Sequence, residues 1–463
     1  MARYLKIFEY PVHLPSSCRL SVPAFQSIWY RKLDSMPSTR PLTAMSKKCC
    51  VEYDWIEGVE RLEEYQPGGY HPIMVGDVLD GRYRIVDKLG FGGYSTVWLA
   101  RDASLNQYVT LKVSIADSIQ HETKVLKALS VWSSSSSPVH PGRGLVPVFL
   151  DEFEVQGPNG RHICYTMAPA QCNLREVSFS RLFPLKVARA LSYRLVQAVA
   201  YTHSQGYVHG DIHLNNILVK PPSTFDELSI AQFYEMFGEP ETVPITRHDG
   251  GPLPPNVPAK AVVPLFLGKY AENFSSSDAH PLLTDFGEAF SPTLDIRLGK
   301  DCHTPIAFRA PEAKFESQIP LAYPSDIWSL ATAIWEIIGM KAIFSTEFMG
   351  EDEILAQHVD VLGPMPSEWW QRWEGRARFF NDDGSPKESY KKNLWPPLEE
   401  SFEIGVQKWR RRVGDEIEEE EKAAFLDLMR RMLSFRPKER PTVEEVLMSD
   451  WMVRWALPDC QRS

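Results

Sequence analysis

The stretch Tyr207-Val208-His209-Gly210-Asp211-Ile212-His213-Leu214-Asn215-Asn216-Ile217-Leu218-Val219 sets a carboxylate, Asp211, five residues ahead of a carboxamide, Asn216, and runs directly into an apolar triplet. A carboxylate that orients a hydroxyl and a carboxamide that holds Mg2+ suit phosphoryl transfer, which depends on positioning and charge stabilisation. Further along, Leu282-Leu283-Thr284-Asp285-Phe286-Gly287 ends another apolar run in a second carboxylate, Asp285, a second candidate metal ligand.

Upstream, Gly90-Phe91-Gly92-Gly93-Tyr94-Ser95-Thr96-Val97 lies between two runs that alternate as strands, Tyr83-Arg84-Ile85-Val86 and Val97-Trp98-Leu99-Ala100. Glycines in such a hairpin let the backbone approach phosphate oxygens with no Cβ in the way. The simpler alternative is a plain turn, and Ser95 stands where a third glycine is usual. Fifteen residues after Val97, Val109-Thr110-Leu111-Lys112 sets a lysine in an apolar strand. A buried ammonium requires an anion. The helical stretch around Glu122 offers one, unless Lys112 merely snorkels to the sheet surface. Downstream come Ala310-Pro311-Glu312 and Asp326-Ile327-Trp328-Ser329. The Gly-rich turn, the lysine, the His-x-Asp loop, Asp-Phe-Gly and Ala-Pro-Glu stand in the order of the protein-kinase signature set. Any one of them arises by chance; all five in order do not.

On these residues the chain resembles the eukaryotic protein kinases, and within them the SR-protein kinases of the CMGC group, as a divergent, fungal-type member. The narrower likeness rests on Glu64-Tyr65-Gln66-Pro67-Gly68-Gly69-Tyr70-His71-Pro72, Gly76-Asp77 and Gly81-Arg82-Tyr83, and continues through Lys88-Leu89-Gly90 and Ser95-Thr96-Val97-Trp98-Leu99-Ala100. Phe379-Phe380-Asn381-Asp382-Asp383-Gly384 is similar to their region after the αG helix, and a spacer within the kinase domain is a family habit. The likeness spans about residues 60 to 455. It implies an α+β, bilobal protein-kinase fold, with a small antiparallel β-sheet lobe carrying one helix and a large, mainly helical lobe. It also implies ATP and Mg2+ as ligands. Lys112 would bind the α/β-phosphates and pair with Glu122, Asp211 would receive or orient the substrate hydroxyl proton, and Asn216 and Asp285 would hold the metal. Leu89, Gly90, Gly92 and Gly93 would line the nucleotide, with Val97, Thr110 and Leu218 around the adenine. Met167 would be the gatekeeper, and Ala168 and Ala170 would flank Pro169 in the hinge. Asp326 would accept backbone N–H bonds from the catalytic loop, and Glu312 and Arg440 would form a buried ion pair.

Departures from the family pattern carry information. Gly210 stands where many kinases carry an arginine that reads a phosphorylated activation segment. SR-protein kinases also lack it, so the resemblance implies constitutive activity, with Thr304 the first residue to suspect should a regulatory phosphosite exist. Phe308 replaces a tyrosine before Arg309. His213 occupies the place of a lysine that contacts the γ-phosphate, and losing one such donor costs on the order of a few kcal/mol in other active sites. His213 is therefore either a catalytic residue or a packing residue of the loop.

The 463 residues are 43% hydrophobic and 24% charged, a composition able to build a large core, and no window holds the roughly 18 apolar residues of a membrane helix. Sixty acids against 50 bases give a charge of −10, unsuited to general nucleic-acid binding and suited to a basic partner. Seven scattered cysteines with no CxxC pair predict a reducing compartment. Residues 1–50, with eight Lys/Arg against Glu9 and Asp34, are expected to be a disordered extension; the alternative is a mitochondrial transit peptide. Residues 51–170 are assigned to a lead-in segment and the small lobe, and 171–455 to the large lobe. Helices are predicted over 184–204, 326–339 and 419–434, and a loop around Ser133–Ser137. Residues 221–281, with ten prolines, are expected to be an insertion rather than core, and the kinase domain to span about 83–452.

The expected function is a Ser/Thr protein kinase that phosphorylates serine in Arg/Ser-rich, splicing-related proteins. It is expected to act as a monomer, in cytoplasm and nucleus, without membrane or direct nucleic-acid contact. Glu351, Asp352, Glu353 and Asp360 lie where such a kinase would dock a basic substrate, or else form a solvated helix face. The rival from another class is a pseudokinase scaffold binding nucleotide or partner proteins.

Overall fold

The computed structural model describes residues 51–118, 121–130, 140–346 and 349–462. The expected extension over 1–50 and the loop around Ser133–Ser137 lie outside the described residues.

The chain builds a six-stranded antiparallel sheet first and a helical body after it. The strands are β1 (Val78–Leu79), β2 (Tyr83–Gly92), β3 (Ser95–Asp102), β4 (Gln107–Ser114), β5 (Phe149–Gly157) and β6 (Gly160–Met167), in the order β1-β2-β3-β4-β6-β5. Helix α1 (His121–Ser130) follows β4. Alternation along the strands divides the sheet into two faces. Val97 pairs with Lys112 and Leu99 with Thr110 on one face, while Trp98 pairs with Leu111 and Thr96 with Val113 on the other. Trp98, Leu111 and Val113 on one face and Leu99 on the other are fully buried, so both faces are covered.

Helix α2 runs over Leu185–Ser204, with Pro184 directly before its first turn, matching its predicted span to one residue. Leu191, Leu195 and Val199 form its buried stripe. It packs against α4 (Tyr323–Ile338), which is buried almost throughout, as a helix at the centre of a lobe must be. Trp335 on α4 meets Phe402 and Phe425, and Phe425 meets Trp451, which ties α5 (Glu419–Met432) and the C-terminal helices into one core. Two short strands, β7 (Ile217–Val219) and β10 (Pro281–Leu283), form an antiparallel pair with Leu218 opposite Leu282.

Between β7 and β10 the segment expected to be an insertion divides in two. Residues 271–281 belong to the large lobe, with Ala271, Phe274 and Ala279 in its core. The rest is a folded appendage of the small lobe. Helix α3 (Ile230–Phe237) starts at a Ser229/Gln232 capping box. Its Phe233, with Phe225 and Leu267, packs against Val86, Leu99 and Tyr108 of the sheet. A hairpin of β8 (Thr242–Pro244) and β9 (Lys260–Val262) completes the appendage and sets Val262 against the sheet's opposite face. The prolines mark turns between packed aromatic anchors, which composition alone cannot distinguish from a loose spacer.

Candidate active site

The tip of the β2–β3 hairpin carries Gly90, Gly92 and Gly93. A Cβ added at any of the three would meet nothing within 4 Å, and none has a positive φ. Neither packing nor backbone strain therefore requires glycine there, and what remains is room for a ligand to approach the main chain.

Lys112 faces the same side of the sheet as Val97. Its Nζ donates to Glu122 Oε1 at 2.9 Å and Oε2 at 2.8 Å, and to Asp285 Oδ1 at 3.2 Å. Burial alone would push the ammonium down, but Asp285 and Glu122 outweigh it and hold Lys112 well above the ordinary lysine value. In return Lys112 keeps the Asp285 carboxyl below the usual carboxylate range. Lys112 is thus a paired lysine, not a snorkelling one. Asp285 itself sits in the left-handed region at φ 63°, a strained setting for a residue with a side chain and one that marks functional sites.

The catalytic loop hangs from the core of the large lobe. Asp326 at the start of α4 accepts the backbone N–H of His209 at 2.7 Å and of Gly210 at 2.9 Å, and His203 Nε2 lies 2.9 Å from the same carboxylate. Burial would raise its pKa, yet these bonds hold it below normal, so it stays an acceptor. The His209 ring stacks edge-on against Phe286 at 4.7 Å and its Nε2 lies 3.0 Å from the Thr284 carbonyl, joining the loop to the strand that delivers Asp285.

Asn216 Nδ2 donates to the Asp211 backbone oxygen and to Asp211 Oδ2, each at 2.9 Å. That occupies the nitrogen end of the carboxamide and leaves its oxygen end for a cation, while Asp211 Oδ1 has no hydrogen-bond partner. Asn216 and Asp285 together offer the hard oxygen ligands that Mg2+ takes beside phosphate. His213 is buried, with Nε2 at 3.3 Å from both Asp211 Oδ2 and Asn216 Nδ2 and its ring 5.4 Å from that of Phe308.

The remaining residues expected to line the nucleotide are placed as follows. Thr110 on β4 is the cross-strand partner of Met167, the last residue of β6, and Ala168 and Ala170 follow it into the large lobe. Leu218 on β7 bridges to Asn173 just beyond them. Leu89 lies against the apolar cluster that the appendage builds under the sheet. The Glu312–Arg440 pair is bidentate and buried, with both bonds at 2.7 Å.

Three features escape a reading of local motifs. In the activation segment Glu288 binds Arg297 at 2.7 Å and His303 at 2.9 Å. Thr304 is buried and its hydroxyl donates to the Gly210 carbonyl, so it is no exposed phosphosite. Glu336 on α4 is buried, and that burial raises its pKa although Arg175 lies 3.6 Å from its carboxylate; an acid inside Ile334-Trp335-Glu336-Ile337-Ile338 was the available signal. The acids expected at a docking surface are engaged internally. Glu351 binds Lys314 at 2.6 Å, Asp352 accepts Trp373 Nε1 at 2.8 Å, Glu353 pairs with Arg378, and Asp360 accepts the Tyr390 hydroxyl at 2.6 Å.

A sheet lobe and a helical lobe, joined by a lysine held between two carboxylates and facing an Asp–Asn catalytic loop, define a protein kinase. The chain belongs to the protein kinase domain family, which matches residues 83–233 and 271–452 and leaves out most of the appendage. It is 28% identical over 408 residues to a serine/threonine protein kinase of Aspergillus fumigatus, covering 85% of this chain and 90% of that one. It is 25% identical over 424 residues to the serine/threonine-protein kinase SRPK of Physarum polycephalum, covering 85% and 91%. The human SRSF protein kinase 3 is 31% identical over 172 residues, 35% of this chain and 30% of that one. A solved kinase domain superposes with a TM-score of 0.57 at 17% identity, covering 83% of this chain and 98% of that one. The chain is a serine/threonine protein kinase resembling the SR-protein kinases, and like kinases in general it uses ATP and a divalent metal.

Proposed function

We propose that this kinase phosphorylates serine in basic, Arg/Ser-rich proteins, and that it is active without phosphorylation of its activation segment. The observation that carries the reading is the contact of Lys112 with both Glu122 and Asp285 while Asp211 stands beside Asn216 with one carboxylate oxygen unpartnered. In this arrangement the substrate hydroxyl gives its proton to Asp211, its oxygen bonds to the γ-phosphorus, and the bond to the β-γ bridging oxygen breaks to leave ADP. Lys112 orients the α/β-phosphates, and the glycines of the hairpin tip lie over them. Asn216 and Asp285 would hold Mg2+, which when bound neutralises phosphate charge. Leu89, Val97, Thr110, Met167, Ala168, Ala170 and Leu218 would enclose the adenine.

The net charge of −10 favours encounter with basic substrates through the long-range field rather than through residues 351–360, whose acids are engaged internally. Among the described residues Cys164, Cys172, Cys302 and Cys460 form no disulfide, which suits the reducing cytoplasm and nucleus, and a monomer is sufficient for the chemistry. The test is phosphate transfer from ATP to an Arg-Ser repeat peptide, with Asp211→Asn as control. Transfer that the variant abolishes supports the reading. No transfer to that peptide alongside transfer to a generic acidic protein would overturn the substrate class.

A further inference from the structure

We propose that Tyr70 is a positioning residue for ATP, and that the lead-in segment and the appendage between β7 and β10 together form the brace that holds it. The proposal rests on the kinase activity above and adds a residue, outside the nucleotide site, that sets how the Gly-rich hairpin meets phosphate.

The lead-in segment lies behind the sheet. Lys112, Thr110 and Val97 face the cleft, and Trp98, Leu111 and Val113 face away from it; Ile73 of the lead-in and Val262 of the appendage pack on that rear cluster. From there the buried Tyr70 sends its hydroxyl to the carbonyl oxygen of Gly92, at 2.8 Å. A trans peptide points its C=O and its N–H in opposite directions. Tying the Gly92 carbonyl, opposite Ser95 at the end of the ladder, to Tyr70 fixes the plane of the Gly92–Gly93 peptide and with it the direction of the Gly93 N–H at the hairpin tip. Gly92 and Gly93 have no side chains of their own to fix that peptide plane, and nothing stands within 4 Å of where a Cβ would be.

Tyr70 is itself fixed by both parts of the brace. Its N–H donates to the Glu64 carbonyl at 3.0 Å, and its ring meets that of Tyr65 edge-on at 5.5 Å. Asn159 Nδ2 donates to the Tyr70 carbonyl at 2.6 Å and to the Asn256 carbonyl at 3.0 Å, and Asn256 Nδ2 donates to the Tyr65 carbonyl at 2.6 Å. One asparagine of the sheet and one of the appendage thus lock the backbone on either side of the tyrosine. Gly69 makes the turn possible, because a Cβ there would come to 1.8 Å from the Glu64 carbonyl oxygen. Beneath it Lys88 of β2 is wholly buried against Glu60, which also accepts the Tyr65 hydroxyl. The same strand that ends in the Gly-rich tip is therefore anchored to the lead-in at Ile85, which bonds Gly76 and Asp77, at Lys88 and at Gly92.

The experiment compares the full chain with its Tyr70→Phe variant, which removes one hydroxyl and keeps the ring. The expected result is a KM for ATP raised about fivefold, the ratio one neutral hydrogen bond supplies. We expect kcat at saturating ATP within twofold of wild type, an unchanged Tm, and faster amide exchange at residues 91–96. Asn256→Ala, which frees the appendage from the lead-in, should raise the same KM by a smaller factor. A lowered Tm with an unchanged KM for ATP would make Tyr70 a structural residue and overturn the proposal, as would unchanged KM and exchange in both variants. Calorimetric binding of Mg-ATP separates this proposal from the substrate reading. Equal affinity of wild type and Tyr70→Phe defeats the brace even where no peptide is phosphorylated, and a fivefold loss sustains it.

Discussion

The carbonyl oxygen of Glu288 lies 2.8 Å from where a Cβ on Gly210 would stand, and the Gly210 backbone holds φ at 77°. The main chain of the activation segment thus closes over the position from which an arginine would reach a phosphorylated residue. The Glu288 side chain meanwhile binds Arg297 and His303, so the segment is held by contacts among its own side chains.

Gly210→Arg should therefore not restore phosphate control. A side chain in the left-handed region costs roughly 1–2 kcal/mol, and its Cβ must also displace the Glu288 carbonyl. The expected outcome is a lower Tm and at least a tenfold loss of kcat. A Gly210→Arg enzyme with full activity would show that the segment yields freely at this point.

Phosphatase treatment should leave the rate on a basic peptide within twofold of untreated enzyme. Glu288→Gln, which weakens the hold on Arg297 and His303, should lower kcat several-fold, a modest effect because these pairs are partly solvated. A tenfold loss on dephosphorylation, about 1.4 kcal/mol in barrier, would reveal a phosphosite other than the buried Thr304.

Arg440 donates to both oxygens of Glu312 and to the carbonyls of Pro324 at 2.8 Å, Ser434 at 2.8 Å and Phe435 at 3.0 Å. Removing one partner strands a buried charge, so Arg440→Met should lower unfolding free energy by about 3–5 kcal/mol in denaturant melts. The double variant Glu312→Met/Arg440→Met should lose clearly less than the sum of the single losses, since no charge is left stranded. Additive losses would mean that the two side chains do not act as a pair.

The motifs were legible because each is short and contiguous. Asp211 and Asn216 sit in one loop, Asp285 closes one strand, and the glycines share one hairpin, so local spacing carries their chemistry. What stayed hidden depends on residues brought together over long separations. Nothing near Tyr70 announces Gly92, and nothing near Asn256 announces Tyr65. The acids at 351–353 read as solvent-facing because Lys314 and Arg378, which bind them, are distant in sequence. The ten prolines of 221–281 read as an insertion rather than core, whereas Phe225 and Phe233, which anchor it, need the sheet beside them before they mean anything.

Two buried histidines contribute to the response to acid, alongside the other histidines that burial shifts down, His162, His140 and His280. Burial, aided by Arg440, pushes His358 down to about 3; burial, aided by His162, pushes His71 down to about 4. Both are neutral in the fold, while in the unfolded chain they take up a proton near pH 6.5. The unfolded state thus binds more protons between those limits, and stability is lost as pH falls below about 6.5. Each fully buried histidine contributes a slope approaching 1.4 kcal/mol per pH unit. His358 lies between the rings of Trp328 and Phe344 with neither nitrogen hydrogen-bonded, so His358→Phe should fit and remove its share. Melts of wild type and variant from pH 7 to 4.5 should diverge, with the variant losing less. Parallel curves would show that His358 is protonated in the fold.

His213 is the least typical residue of the site, and its placement separates two roles. Its Nε2 lies 3.3 Å from Asp211 Oδ2, and its ring packs against Phe308, so it touches both the catalytic carboxylate and the activation segment. If it acts on developing phosphate charge, His213→Ala should lower the single-turnover rate about tenfold or more while KM for ATP stays nearly unchanged, because that interaction strengthens only in the transition state. His213→Lys should then match or exceed wild type, since an ammonium restores a permanent cation beside the γ-phosphate. If the ring serves only to pack, His213→Ala should instead lower Tm through the cavity it leaves beside Phe308, with the single-turnover rate intact, and His213→Lys should lower Tm as well by burying a cation against that ring. The rate and the melting temperature therefore move independently under the two roles. We expect the rate to fall in the alanine variant and to recover in the lysine variant; an alanine variant that turns over as fast as wild type would remove His213 from the chemistry.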